Sequence, residues 1–152
     1  MKTASDIMVR EVKTIPAEAT LREAAEMLSL WQVSGAPVTG ADGKLAGILS
    51  ESDLLSEARK RAGMPRTAAF GIFLPVEESL QRIYHDGATL QVGDVMTTKV
   101  LTVREDTPLD EVGETMVRRR INRVPVVDAD GAVVGIVTRE DLLKALFGIA
   151  EG

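Results

Sequence analysis

Gly47-Ile48-Leu49-Ser50-Glu51-Ser52-Asp53-Leu54-Leu55 returns 88 residues later as Gly135-Ile136-Val137-Thr138-Arg139-Glu140-Asp141-Leu142-Leu143. In each copy a glycine and an apolar run lead to a hydroxyl, a carboxylate follows three residues on, and apolar residues resume. That is how a strand turning into a helix reads, with the hydroxyl placed to cap the helix. The same offset lays residues 6–58 on residues 94–146 without a gap, and Asp6/Asp94, Met8/Met96, Pro37/Pro125, Gly43/Gly131, Gly47/Gly135 and Asp53/Asp141 are identical pairs. Self-similarity at one fixed offset marks a duplicated structural unit.

Working outward from the junction, the residues before it read as a hairpin. Residues 36–39 and 45–49 flank Ala41-Asp42-Gly43, and residues 124–127 and 133–137 flank Ala129-Asp130-Gly131, so an Asp-Gly turn joins two strands in each copy. Further upstream, Leu21, Ala24, Ala25, Leu28 and Trp31, matched by Leu109, Val112, Gly113 and Met116, fall three and four apart, as on one face of a helix. Thr20 with Glu23 predicts a capping box before the first of these helices. Thr107 followed by Pro108 predicts a cap and a proline at the first helical position before the second. Residues 11–15 and 99–103, short and β-branched, predict a first strand in each copy. A second helix begins at Ser50 and at Thr138. The unit therefore reads β-α-β-β-α.

One unit of about 55 residues has a thin core. The expectation is an α+β protein in which two such repeats pack as a pseudo-twofold pair through their sheets. The first repeat spans residues 1–60 and the second residues 93–152. Residues 61–92 form an insert too long for a plain loop, with an apolar run at residues 68–74 and a predicted helix at residues 75–85 carrying Val76, Leu80, Ile83 and Tyr84 on one side.

Composition narrows the chemistry. The chain has 152 residues, 45% apolar and 27% charged, the balance of a globular protein. No apolar stretch approaches the roughly 20 residues of a membrane span. Residues 1–10 lack the apolar block of a signal peptide, so a cytoplasmic protein is expected. Eighteen basic against 23 acidic residues give a net charge of −5, which argues against nucleic acid or an anionic membrane as partner. There is no Cys and one His, His85, which removes thiol nucleophiles, disulfides, cysteine zinc sites and histidine triads, and His85 reads as a surface residue. Arg59, Lys60, Arg61 and Arg66, like Arg118, Arg119 and Arg120, read as charge placed at helix C-termini. Met8 and Met96 read as core fillers, and Trp31 as a core or subunit-contact residue.

The duplicated hydroxyl and carboxylate admit two compatible readings. Ser50 and Thr138 can cap their helices, with Asp53 and Asp141 favourable at the positive helix end. Alternatively, the helix start and hydroxyl can meet an anion such as phosphate, while the carboxylate accepts hydrogen bonds from a ribose diol.

Asp6-Ile7-Met8 and Asp94-Val95-Met96, Ala36-Pro37-Val38 and Arg123-Val124-Pro125-Val126-Val127-Asp128, and the glycine-to-aspartate stretch opening each last helix together resemble a tandem pair of CBS domains, named for cystathionine β-synthase. The resemblance covers the chain apart from the insert and the extreme termini. It implies a stand-alone regulatory module whose two CBS units associate through their sheets and leave clefts for adenosine-containing ligands. AMP, ADP, ATP and S-adenosylmethionine would act there as regulators, with no cofactor or metal required. Carried over by position, Asp53 and Asp141 would bind ribose hydroxyls, and Ser50 and Thr138 would contact phosphate or the ribose edge. Val12, Thr14, Val100 and Thr102, with Ser34, Gly35 and Ala36 and their counterparts Asn122, Arg123 and Val124, would surround the base or phosphates. Where one copy has Ser34-Gly35 the other has Asn122-Arg123, so the sites are expected to be unequal. Arg123 reads either as a fork for phosphate or as a solvated cation near a helix C-terminus.

The function expected is an adenine-nucleotide sensor, fit for energy sensing, that modulates a separate effector protein through ligand-dependent packing of its units. A second reading is a homodimeric assembly module with idle pockets, which the apolar cluster Phe70, Ile72, Phe73 and Leu74 favours. An enzyme would need a nucleophile beside a base or a carboxylate cluster with a metal, and the sequence presents neither.

Overall fold

The computed structural model describes residues 2–62 and 77–149. In chain order these form α1 (Ala4–Ile7), β1 (Ile15–Pro16), α2 (Leu21–Trp31), β2 (Gly35–Thr39), β3 (Leu45–Ser50), α3 (Glu51–Ala62), α4 (Glu77–Thr89), a 3-10 turn at Val92–Asp94, α5 (Leu109–Arg119), β4 (Arg123–Val127), β5 (Val133–Thr138) and α6 (Arg139–Phe147). β1, β2 and β3 make one sheet in that order, and β4 pairs with β5 in another. Helices and sheets alternate as the duplicated sequence requires, and the fold is α+β.

The described residues gather into two lobes. One draws on Met1–Lys13, Gly43–Leu45 and Val100–Gly152, the other on Thr14–Asp42 and Ala46–Lys99. The lobes do not follow the sequence repeats, because each takes the leading segment of the other repeat. Ala4 and Met8 lie in one core with Val112, Val124, Val126 and Val137. Val92, 88 residues after Ala4, lies in the other core with Ile15, Val38 and Leu49, and Met96 packs against it. The backbone repeats the exchange bond for bond. Ala4 N–H donates to Thr107 O at 2.9 Å, and Val92 N–H donates to Ala19 O at 2.8 Å. Val9 and Ile136 exchange both amide hydrogen bonds, as do Ile48 and Thr97.

Glycine is what admits each leading segment. A Cβ at Gly47 would stand 2.6 Å from the Thr97 carbonyl oxygen and 2.8 Å from Met96 Sδ. One at Gly135 would stand 2.8 Å from Met8 Cγ. The matched methionines thus fill the space left by the matched glycines of the opposite repeat. Complete burial of Ile15, Leu49 and Val38 in one core and Val112, Val124 and Val137 in the other contributes about 1.5–3 kcal/mol per side chain.

α2 starts with the reciprocal box its sequence predicts. Thr20 N–H donates to Glu23 Oε1 at 2.9 Å, and Glu23 N–H donates to Thr20 Oγ1 at 3.1 Å. Hydrogen bonding to the Glu23 carboxylate, from the Thr20 backbone N–H first and from the Thr20 hydroxyl second, holds its pKa below the ordinary value. α5 differs. Pro108 itself occupies the cap position, and the Thr107 hydroxyl accepts from Arg104 N–H at 2.9 Å, closing the preceding turn instead of capping the helix.

The expected first strands shrink. In residues 11–15 only Ile15 belongs to a strand, pairing in parallel with Val38, and Pro16 extends it. In residues 99–103 only Val103 bridges, to Val126. Both segments lie where the chain passes between lobes, at Lys13/Thr14 and Lys99/Val100, so most of each has no strand neighbour. The hairpin turns are as read, with Gly43 at φ +80° and Gly131 at φ +87°. The Asp128 carboxylate accepts from Asp130 and Ala132 N–H and orders the second turn.

The helix expected over residues 75–85 occupies Glu77–Thr89, and the run at residues 68–74, with Phe70, Ile72, Phe73 and Leu74, lies outside the described residues. Arg22 of α2 stacks 3.8 Å above the Tyr84 ring and donates to Tyr84 O at 3.1 Å, fixing α4 against α2.

Candidate functional site

In each lobe a strand leads without a linker into a helix, and the turn is closed by the hydroxyl and carboxylate of the duplicated motif. At β3–α3, Ser50 N–H donates to Asp53 Oδ2 at 3.0 Å, and Asp53 N–H donates to Ser50 Oγ at 3.2 Å. At β5–α6, Thr138 N–H donates to Asp141 Oδ2 at 3.1 Å, and Asp141 N–H donates to Thr138 Oγ1 at 3.2 Å. The Thr138 hydroxyl also donates to Asp141 Oδ2, at 2.8 Å. The capping reading is therefore realised at both junctions.

Capping does not exhaust these groups. All four residues are half-buried. Among the described residues no hydrogen bond reaches Oδ1 of Asp53 or Asp141, and the Ser50 hydroxyl proton has no acceptor. Each carboxylate thus holds the helix start through Oδ2, and Oδ1 stands outside the cap.

The amides at the helix starts are more committed than the sequence suggested. Glu51 N–H donates to Ser34 O at 2.8 Å and Arg139 N–H donates to Asn122 O at 2.9 Å. With the third amide bound to the cap hydroxyl, only the second, of Ser52 or Glu140, is left among the described residues for an anion. These carbonyl contacts could not be read from the sequence, because they depend on the preceding strand returning alongside the helix start. They set the backbone of Ser34 and of Asn122 beside the two helix starts.

The expected site residues divide by lobe. Thr14, Ser34, Gly35, Ala36, Ser50 and Asp53 fall in one, and Val12, Val100, Thr102, Asn122, Arg123, Val124, Thr138 and Asp141 in the other. Val12 therefore joins the lobe of the second repeat. Ala36 at 2% and Val124 at 0% exposure point into their cores, so they offer a ligand backbone groups alone. Ser34, Thr102 and Asn122 are exposed, whereas Val12, Thr14, Val100 and Arg123 are half-buried. Arg123 is the Cα partner of Thr138 across the β4–β5 ladder, and its Nε donates to Asn122 Oδ1 at 3.3 Å.

Two apolar grooves lie beside the junctions without being lined by their capping residues. One of about 410 Å³ runs between α2, α3 and α4, and one of about 550 Å³ between α5 and α6, lined by Arg139 and Leu142 but not by Thr138 or Asp141. Among the described residues no group of three His, Cys, Asp or Glu could hold a metal ion, and no helix is long and apolar enough to cross a membrane.

A duplicated strand-to-helix junction, capped in both copies by a hydroxyl and a carboxylate, defines a tandem-repeat module. The chain belongs to the CBS domain family, whose pattern matches residues 4–60 and 92–148. An uncharacterized protein of Methanocaldococcus jannaschii, MJ1426, is 35% identical over 130 residues, covering 76% of this chain and 74% of that one. The chloroplastic CBS domain-containing protein CBSX1 of Arabidopsis thaliana is 31% identical over 155 residues, 97% of this chain and 65% of that one. The chain spans only 23% of a 28% identical inosine-5'-monophosphate dehydrogenase from the same archaeon. Among solved structures, CBSX2 in complex with AMP superposes with a TM-score of 0.74 at 28% identity, covering 98% of both chains. The CBS domain pair of MJ0100, in complex with 5'-methylthioadenosine and S-adenosyl-L-methionine, gives a TM-score of 0.70 at 26% identity, covering 99% of both.

Proposed function

We propose that this chain is a regulatory module that binds an adenosine-containing ligand at its strand-to-helix junctions and, through ligand-dependent packing, modulates a separate effector protein in the cytoplasm. The observation that carries the reading is the uncommitted Oδ1 of Asp53 and Asp141 beside a half-buried hydroxyl in both repeats. The ligands of CBSX2 and of the MJ0100 pair support the adenosyl class. Binding fits the residues, since each junction supplies carboxylate acceptors and a helix end whose hydroxyl and carboxylate are engaged in capping.

A panel of melts with AMP, ADP, ATP, S-adenosylmethionine and NAD tests the class. A ligand at a hundred times its dissociation constant adds about 2.7 kcal/mol of stability, and no shift with any of them would remove the sensor reading. Asp141→Asn should weaken nucleoside binding by about 1–3 kcal/mol through loss of a charged acceptor, while the chain stays folded because an amide oxygen still accepts from Thr138 N–H. Energy sensing adds a requirement that AMP and ATP compete with opposite effects on the partner.

A second reading, a homodimer with idle pockets, is favoured by apolar residues exposed on and after α6, where Leu146 is 60%, Phe147 75% and Ile149 57% accessible. Light scattering showing a dimer whose mass and melting point ignore every nucleotide would select it.

A further inference from the structure

The duplication makes the same groove twice, once with a helix beside it and once without. Leu21, Arg22, Ala25, Glu26, Leu54 and Ala58 line the groove between α2 and α3, and α4 forms its third wall. Moved on by 88 positions, those six become Leu109, Asp110, Gly113, Glu114, Leu142 and Leu146, and all six line the α5–α6 groove. There every lining residue comes from α5, from Arg120 that ends it, or from α6, so among the described residues this groove has two walls.

The copy without a third wall is the more apolar. Val117, Leu146 and Phe147 are exposed where the other copy has Ser29, Ala58 and Arg59. Below them Leu109, Met116 and Leu142 are buried and form an apolar floor. Apolar side chains gathered on a groove rim mark a surface that another molecule covers.

The seating of α4 shows which molecule fits. Leu90 O, one residue past α4, accepts from Leu21 N–H at 3.0 Å, so the end of α4 meets the start of α2. Arg22 secures it there by stacking on Tyr84. Asp110, the counterpart of Arg22, is an exposed carboxylate at the start of α5 and cannot hold an aromatic ring in that way. At the far end of the groove stand the guanidinium groups of Arg120 and Arg139. A helix seated as α4 is would therefore bring its last turn to Asp110 and its first turn toward the two arginines. Basic residues in the last turn and acidic residues in the first are the charges a helix dipole itself favours.

We infer that the α5–α6 groove receives one amphipathic helix of a separate protein, apolar on the face it buries, acidic in its first turn and basic in its last. This rests on the effector part of the reading above, and it is tested without any nucleotide, so the two can fail separately.

Fluorescence anisotropy of the full chain with two synthetic amphipathic helices of about four turns tests it. Both carry a leucine face. One has Glu in the first turn and Lys in the last, and the other has these charges exchanged. The first should bind saturably and the second at least about tenfold more weakly, with Asp110→Lys narrowing the difference. Leu146→Glu should weaken the first peptide by about tenfold or more. Leu55→Glu, at the exposed α3 position that matches Leu143, should leave it within about twofold. Asp110, Leu146 and Leu55 are all exposed, so each variant keeps its fold, as a melt would verify. No binding of either peptide, equal binding of both, or an equal loss in Leu55→Glu would overturn the inference and leave the nucleotide reading standing. A parent chain that scatters light as a dimer and becomes a monomer with Leu146→Glu would also overturn it, giving the groove to a second copy.

Discussion

Gly47 and Gly135 are required by what passes over them, not by their own backbone angles. At Gly135 the obstruction is the Met8 side chain, whose flexible end can move. At Gly47 it includes the Thr97 carbonyl, which is backbone and is bonded to Ile48 N–H at 2.9 Å. Gly135→Ala should therefore cost about 1–3 kcal/mol in a denaturant melt, and pairing it with Met8→Ala should cost at least 1 kcal/mol less than the sum of the single changes. Gly47→Ala should cost as much, with little relief from Met96→Ala. The sequence displays both glycine–methionine matches, yet it gives no hint that each methionine lies over the glycine of the other repeat.

Among whole elements, the helices were the most legible. Their three- and four-residue spacing and their hydroxyl–carboxylate boxes are local chemistry, and α2, α3 and α6 start where those residues stand. The first strands were the least legible. β-branched residues near 12–15 and 100–103 favour extended chain, but a strand also needs a neighbour, and only Ile15, Pro16 and Val103 find one. Two helix ends carry no glycine to announce them. α2 and α5 both stop at a left-handed residue, Gln32 at φ +56° and Arg120 at φ +54°, where glycine would be unstrained. Arg120→Gly should raise stability by about 0.5–1 kcal/mol, with Gln32→Gly behaving alike, as thermal melts of each would report. A loss of stability on both would mean that their side chains, not the turn, hold the helix ends.

For the molecule as a whole, duplication made the candidate site legible. One offset names Ser50, Asp53, Thr138 and Asp141 and pairs Gly35 with Arg123. Membership of the lobes was not legible, because periodicity and propensity are local whereas a core is chosen by distant packing. Removing residues 1–9 should destabilise the lobe built on α5, β4, β5 and α6 by at least about 2 kcal/mol, through loss of Ala4 and Met8 from its core. Hydrogen exchange should quicken at Ile136, which gives up its bonds to Val9, and stay slow at Val38. Equal quickening in both lobes would contradict the exchange of segments.

That reciprocity constrains ancestry as well as stability. A single copy whose leader reached outward as here would complete its interior with the leader of a second copy, and tandem fusion keeps that exchange within one polypeptide. Splitting the modern gene midway would return each fragment to that dependence.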